Sequence, residues 1–239
     1  MDYLQDIALL NACREAGNKL VFKGGTCLYK VHQLNRFSED LDFSAGKGFV
    51  AKEFFQRLPP FFGLLGIACS LRLKPFDRGV NAFLDVRGPL YDGKKESLAT
   101  LVFNVSLRER IQLPAQRHLY TPVYNELRPF DLFVLDEREI LAEKVRAIYE
   151  RDKARDLFDA WFLLKKKSVS FDIGLVNKKL SKGKLRFEKN AFLGRIDEKR
   201  LGWERDLRPL VQGELPPFTQ IKNEIRQALP HPSRDSAGV

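Results

Sequence analysis

Between residues 21 and 44 the chain reads VFKGGTCLYKVHQLNRFSEDLDFS, and two groups of residues in it have the types and spacing for phosphate and cation chemistry. Val21 and Phe22 resemble the end of a buried strand, Gly24 and Gly25 permit a tight backbone turn, and Thr26 opens a helix of about ten residues. A helix start carries unpaired N–H donors and partial positive charge, so this turn and the Thr26 hydroxyl could receive an anion such as phosphate. Further on, Asp40-Leu41-Asp42-Phe43 alternates acidic with apolar residues, which on a strand puts the two carboxylates on one face. Adjacent carboxylates repel; a divalent cation relieves that repulsion, and Mg²⁺ in particular keeps waters and substrate phosphates as its remaining ligands. Arg36 and Ser38 precede the acids, and Arg36 could neutralise phosphate or pair with an acidic neighbour.

The elements that must hold these residues are legible from periodicity. Leu4, Ile7, Ala8, Leu10 and Ala12 mark a first helix over 2–17, read as scaffold, and Lys19 to Phe22 a core strand. A helix follows between Gly46 and Gly66, broken at Pro59-Pro60. Antiparallel strands are expected at Ile67 to Leu73, Ala82 to Val86 and Leu98 to Leu107, with turns at Asp77-Arg78-Gly79 and Asp92-Gly93. The proline-containing stretch 111–136 reads as a crossing between lobes. Beyond it, Asp136-Glu137-Arg138-Glu139 starts a helix with acids in its first turn, where the helix dipole favours them. Glu143 and Lys144 lie off part of its apolar stripe and could face a cleft. In the next helix, Arg155 to Leu164, Asp156 and Asp159 share a face opposite Leu157, Trp161 and Leu164. The bland alternative for Glu143, Lys144, Arg155 and Asp156 is a set of surface ion pairs. A last helix is expected over 216–228, and 230–239 is polar and read as a disordered tail.

The domain expectation is therefore a first lobe over 1–112, a mainly helical second lobe over 113–229, and a tail. With 239 residues, 44% of them hydrophobic, two modest cores can be buried. Cys13, Cys27 and Cys69 are odd in number and lack metal spacing, which argues against a disulfide framework and for a cytoplasmic protein. No zinc cluster emerges from His32, His118 and His231, and no apolar run is long enough to span a membrane. A formal net charge of +10, with clustered Lys165, Lys166, Lys167, Lys178, Lys179, Lys182, Lys184, Arg186 and Lys189, points to a polyanionic partner such as RNA.

A Gly-Gly-Thr helix start followed by RFSEDLDF resembles the first motif of the DNA polymerase β-type nucleotidyltransferases, in the variant carried by the AbiEii-type toxin family. The resemblance is close over 21–44 and returns over 137–164, where an AEK-type helix and an RDxxD helix match Lys144, Arg155, Asp156 and Asp159. It implies an α/β (α+β) fold: a polymerase β-like lobe with a mixed sheet, then a mainly helical lobe. It also implies that Gly24, Gly25 and Thr26 contact an NTP, with Arg36, Ser38 and Asp159 grouped beside them, while Asp40 and Asp42 hold Mg²⁺. Lys144 would act on the triphosphate and Asp156 near the metal or the acceptor hydroxyl as a candidate base. The strand Leu101 to Ser106 offers Asn104 where many relatives place a third carboxylate; an amide oxygen can ligate Mg²⁺ but cannot remove a proton. The implied function is NMP transfer to an RNA hydroxyl, the tRNA 3′ end being one acceptor, or to a protein hydroxyl, by a toxin with a cognate antitoxin. The rival is a catalytically inactive nucleotidyltransferase-like module that binds nucleotide or RNA and acts through a partner. A P-loop NTPase is excluded, because the GGT turn lacks the GK[ST] ending.

Overall fold

A computed structural model describes residues 1–77, 79–107 and 110–230; Arg78 of the expected turn and residues 231–239 of the expected tail lie outside them. The chain forms two compact units, the first made of Met1–Gln33 and Phe37–Asp136, the second of Leu34–Arg36 and the chain from Glu137 onward. The first unit thus closes at Asp136, beyond the boundary at 112 that the prolines suggested.

In the first unit the elements run α1 (Asp2–Ala16), β1 (Leu20–Lys23), α2 (Gly24–His32), β2 (Leu41–Ala45), α3 (Ala51–Leu64), β3 (Cys69–Phe76), β4 (Gly79–Val86), β5 (Ala99–Ser106), β6 (Gln116–Tyr120) and β7 (Phe130–Val134). They build one mixed sheet in the order β3-β4-β5-β2-β1-β7-β6. β2 runs parallel to β5 and β1 parallel to β7, while β1 and β2 pair antiparallel. The stretch 111–136 is therefore not only a connection. Pro114, Pro122 and Pro129 flank its strands instead of interrupting them, and β7 alternates buried Phe130, Leu132 and Val134 with half-buried Asp131 and Phe133.

The helix over 46–66 does not break at its prolines: α3 continues through Pro59 and Pro60. An interior proline costs a helix about 3 kcal/mol. Phe54, Phe55 and Leu58 before the pair and Phe61 and Phe62 after it are all buried, and their common burial at about 1.5–3 kcal/mol each outweighs that cost. Phe55 meets Phe103 of β5 edge-on at 5.6 Å, and Phe22 of β1 lies 5.2 Å from Phe43 of β2, so the strands that carry the acids are anchored from their apolar face.

The second unit contains α4 (Glu137–Glu150), α5 (Ala154–Trp161), α6 (Ile173–Leu180), α7 (Lys189–Glu198), α8 (Trp203–Leu207) and α9 (Phe218–Ala228). A π turn, Phe162–Lys166, extends α5. Phe158 touches both Trp161 and Trp203 at the centre of the helical core. The architecture is a mixed α/β fold: a mixed-sheet unit followed by a helical one. Among the described residues no helix is long and apolar enough to cross a membrane.

Candidate active site

Gly24 follows β1 directly, with φ of +78°, a region that L side chains rarely adopt. A Cβ at this position would lie 2.3 Å from Oδ2 of Asp42, so the turn and the carboxylate can approach only because the side chain is missing. The glycine pair is thus more than a turn: it lets a helix start and a strand acid meet. The N-cap residue of α2 makes no side-chain cap, and a helix start of this kind carries amides and partial positive charge suited to an anion. Thr26 behaves differently from the expectation. It is fully buried, and its hydroxyl donates to the backbone carbonyl of Asp40 at 2.5 Å, so it ties the turn to the acidic strand rather than presenting an open donor.

Along β2 and the residue before it, Leu41 and Phe43 are buried while Asp40 and Asp42 are half-exposed, as the alternation requires. Asp42 stands in register with Lys23 on β1 and with Asn104 on β5, and Asn104 with Asn81 on β4. Asn104 sits where a third carboxylate was sought, and its Nδ2 donates to Oδ1 of Asp42 at 3.0 Å. The amide orients Asp42. Ser38, grouped with the nucleotide-binding residues, is half-buried; its carbonyl and that of Glu39 accept from the Gln5 side chain at 3.1 and 2.8 Å.

Two half-exposed carboxylates offer hard oxygen donors, while Asn104 turns its amide nitrogen toward Asp42. Such oxygens suit Mg²⁺, which needs one or two protein carboxylates, and not zinc, which takes nitrogen and sulfur ligands in fours. Among the described residues no group of three or more His, Cys, Asp or Glu able to hold a metal occurs.

In the second unit Arg36, Asp159, Lys144 and Asp156 form one chain of charges. Buried Arg36 grips buried Asp159 through two bonds of 2.6 Å, so of its two sequence readings the acidic neighbour is the one observed. Lys144 Nζ lies 2.7 Å from Asp159 and 3.1 Å from Asp156, and Arg151 closes on the far side of Asp156 at 2.7 and 2.8 Å. Burial opposes ionisation of both acids, but it is overcome: Arg36 and Lys144 hold the Asp159 carboxyl below its usual range, and Lys144 and Arg151 do so for Asp156. Burial likewise opposes the charge of Lys144, yet Asp159 and Asp156 raise its pKa. Lys144, Asp156 and Asp159 pair in a buried position, with Arg151 reaching Asp156 from the surface, so these three are not the surface ion pairs of the bland alternative. Glu143 and Glu139 enclose the buried Lys179 at 2.9 and 2.6 Å. Sequence reasoning missed Arg151, which lies outside the RDxxD motif, and Gln5, a polar residue within the apolar stripe of α1.

A glycine-cornered helix start set against paired acids on a mixed sheet is the arrangement of a nucleotidyltransferase. Comparison with known proteins agrees. The model of the family described as nucleotidyl transferase AbiEii toxin, type IV TA system, matches residues 8–230, and the chain belongs to this family. It is accordingly a nucleotidyltransferase toxin, a class that uses NTP and is paired with an antitoxin. Among solved structures, MenT4, a nucleotidyltransferase toxin from Mycobacterium tuberculosis, is similar in fold, with a TM-score of 0.63 at 23% identity over 95% of this chain and 80% of that one. JHP933 from Helicobacter pylori is similar with a TM-score of 0.59 at 21% identity over 95% of this chain and 87% of that one. No curated protein matches at the sequence level.

Proposed function

We propose that the protein transfers a nucleoside monophosphate from an NTP to a hydroxyl of an RNA, acting in the cytoplasm as the toxin of its pair. The observation that carries this reading is the apposition of Gly24 and Asp42, which sets an uncapped helix start beside an acid that can share a cation with Asp40. In the reaction the acceptor hydroxyl releases its proton to solvent, its oxygen forms a bond to the α-phosphorus, the bond from that phosphorus to its bridging oxygen breaks, and pyrophosphate leaves with the electron pair. Asp40 and Asp42 are the residues that would hold Mg²⁺, which when bound neutralises phosphate charge. The Gly24 and Gly25 amides hold phosphate oxygens through the helix start. Lys144 keeps the phosphate role that the family motif gives it, and Asp156 and Asp159 fix its ammonium. Asp156 suits that task better than proton abstraction, because Lys144 and Arg151 make it a poor base in the free protein. The RNA assignment rests on the exposed Lys165, Lys166, Lys167, Lys178, Lys182, Lys184 and Arg186 of the second unit, cations suited to a phosphate backbone.

Incubation with Mg²⁺, each labelled NTP in turn, and total RNA or total protein tests this reading. Label should enter RNA, with tRNA as the first fraction to inspect, and Asp42→Ala should abolish it. Label in protein alone would reassign the acceptor. One observation favours the second reading, an inactive binding module: the amide of Asn104 in place of a third carboxylate. Nucleotide binding without incorporation into any acceptor would establish that alternative.

A further inference from the structure

The first helix was read as scaffold, yet it buries an amide, Gln5, among its apolar residues. A buried primary amide is unfavourable unless its N–H groups are used, and here the Nε2 group donates to two successive backbone carbonyls, Ser38 at 3.1 Å and Glu39 at 2.8 Å. Those residues and Asp40 lie before β2, where no ladder bond fixes the chain. The next carbonyl, that of Asp40, is taken by the Thr26 hydroxyl. Three consecutive peptide groups are therefore held by side chains from two helices, and the direction of the Asp40 side chain follows from the planes on either side of it. Asp42 needs no such support, because β1 and β5 pair with it on both sides.

The helix is itself tied to the phosphate turn. Lys30 of α2 donates to Asp2 and Asp6 of α1 at 2.7 Å each, and Tyr120 donates to Asp6 at 2.9 Å. α2 begins at Gly24, so α1 grips the element that starts with the turn as well as the segment that presents the acid.

We infer that Gln5 is a positioning residue for the cation and nucleotide site, acting on the Ser38–Asp40 backbone so that Asp40 can share a cation with Asp42; this rests on the reading of that site given above. Outer partners of metal-holding residues change affinity by roughly 10–100-fold when removed. Gln5→Met keeps the length and apolar packing but loses both donors. Its half-saturating Mg²⁺ concentration for NMP transfer should rise about tenfold or more. The rise in melting temperature that Mg²⁺ with the four NTPs gives the wild type should shrink by more than half. Ile7→Val, on the same helix and fully buried, is the control: it should lower the melting temperature of the ligand-free protein and leave both other readouts unchanged. If Gln5→Met does not fold, Gln5→Glu, of equal length and without the amide donor, carries the same expectation. Wild-type ligand response in either Gln5 variant would overturn the positioning role alone. Absence of any response to Mg²⁺ and NTP in the wild type would instead overturn the underlying reading of the site, and the inference with it.

Discussion

Asp40 and Asp42 stand half-exposed at the start of β2, with the neutral amide of Asn104 donating to one of them, whereas Asp156 and Asp159 are buried and gripped by Arg36, Lys144 and Arg151. Both pairs are acidic, and both were picked from the sequence as members of motifs. The environments separate their chemistry. A half-exposed carboxylate can exchange its neighbours for a cation, while a buried one already surrounded by guanidinium and ammonium groups has spent its charge on the fold and on orienting Lys144.

The largest test of that contrast is removal of the exposed acids. Asp42→Ala and Asp40→Asn should each lower NMP transfer by on the order of 10³-fold, from the several kcal/mol that a lost cation contact represents. Their melting temperatures should stay close to that of the wild type, since neither residue is buried. A stable variant that keeps its activity would contradict the assignment. Gly24→Ala comes next. Its Cβ meets Asp42 at 2.3 Å and its φ is unfavourable, so transfer should fall by about 10²-fold, as expected for displacement of a reacting group by an ångström. Unchanged transfer would show that the close approach has no role.

Asp159→Asn probes the other half of the comparison and should act on stability first. Removing one partner of a buried ion pair costs roughly 3–5 kcal/mol. The sign with pH follows from the depressed carboxyl: the unfolded chain takes up the proton first, so the contribution of Asp159 is complete above about pH 4 and is lost as pH falls through the lower folded value. The variant should therefore be less stable at neutral pH and should lose less stability on acidification than the wild type. Parallel acid-unfolding curves would exclude an ionised Asp159 in the fold. The smallest effects belong to the exposed cations: Lys165→Ala or Lys184→Ala should weaken RNA binding slightly and lower the slope of log affinity against log salt by about 1 each.

Much of the first site was legible in sequence because it is local. The alternation through Asp40 to Phe43 and the glycine pair fix which side chains face the core over a few residues, and Asn104 fell on the expected strand. What escaped depends on partners distant in sequence. The Thr26 hydroxyl is claimed by a carbonyl fourteen positions on, and Gln5 by carbonyls 33 and 34 positions away. Arg36 and Asp159 are 123 positions apart, so periodicity could leave open phosphate or acid as its partner but could not choose. The prolines misled in both directions: in α3 a stripe of buried phenylalanines overrode them, and in 111–136 they bounded two strands, of which β7 carries its own alternation as the better signal.

The contrast between the two acidic pairs is tested most directly by one titration of thermal stability with Mg²⁺ and NTP, run on wild type, Asp42→Ala and Asp159→Asn. The expected result is a normal melting temperature without ligand response for Asp42→Ala, and a lowered melting temperature with a weakened but measurable ligand response for Asp159→Asn. The reverse pattern, a preserved response in Asp42→Ala and a lost one in a normally stable Asp159→Asn, would contradict it.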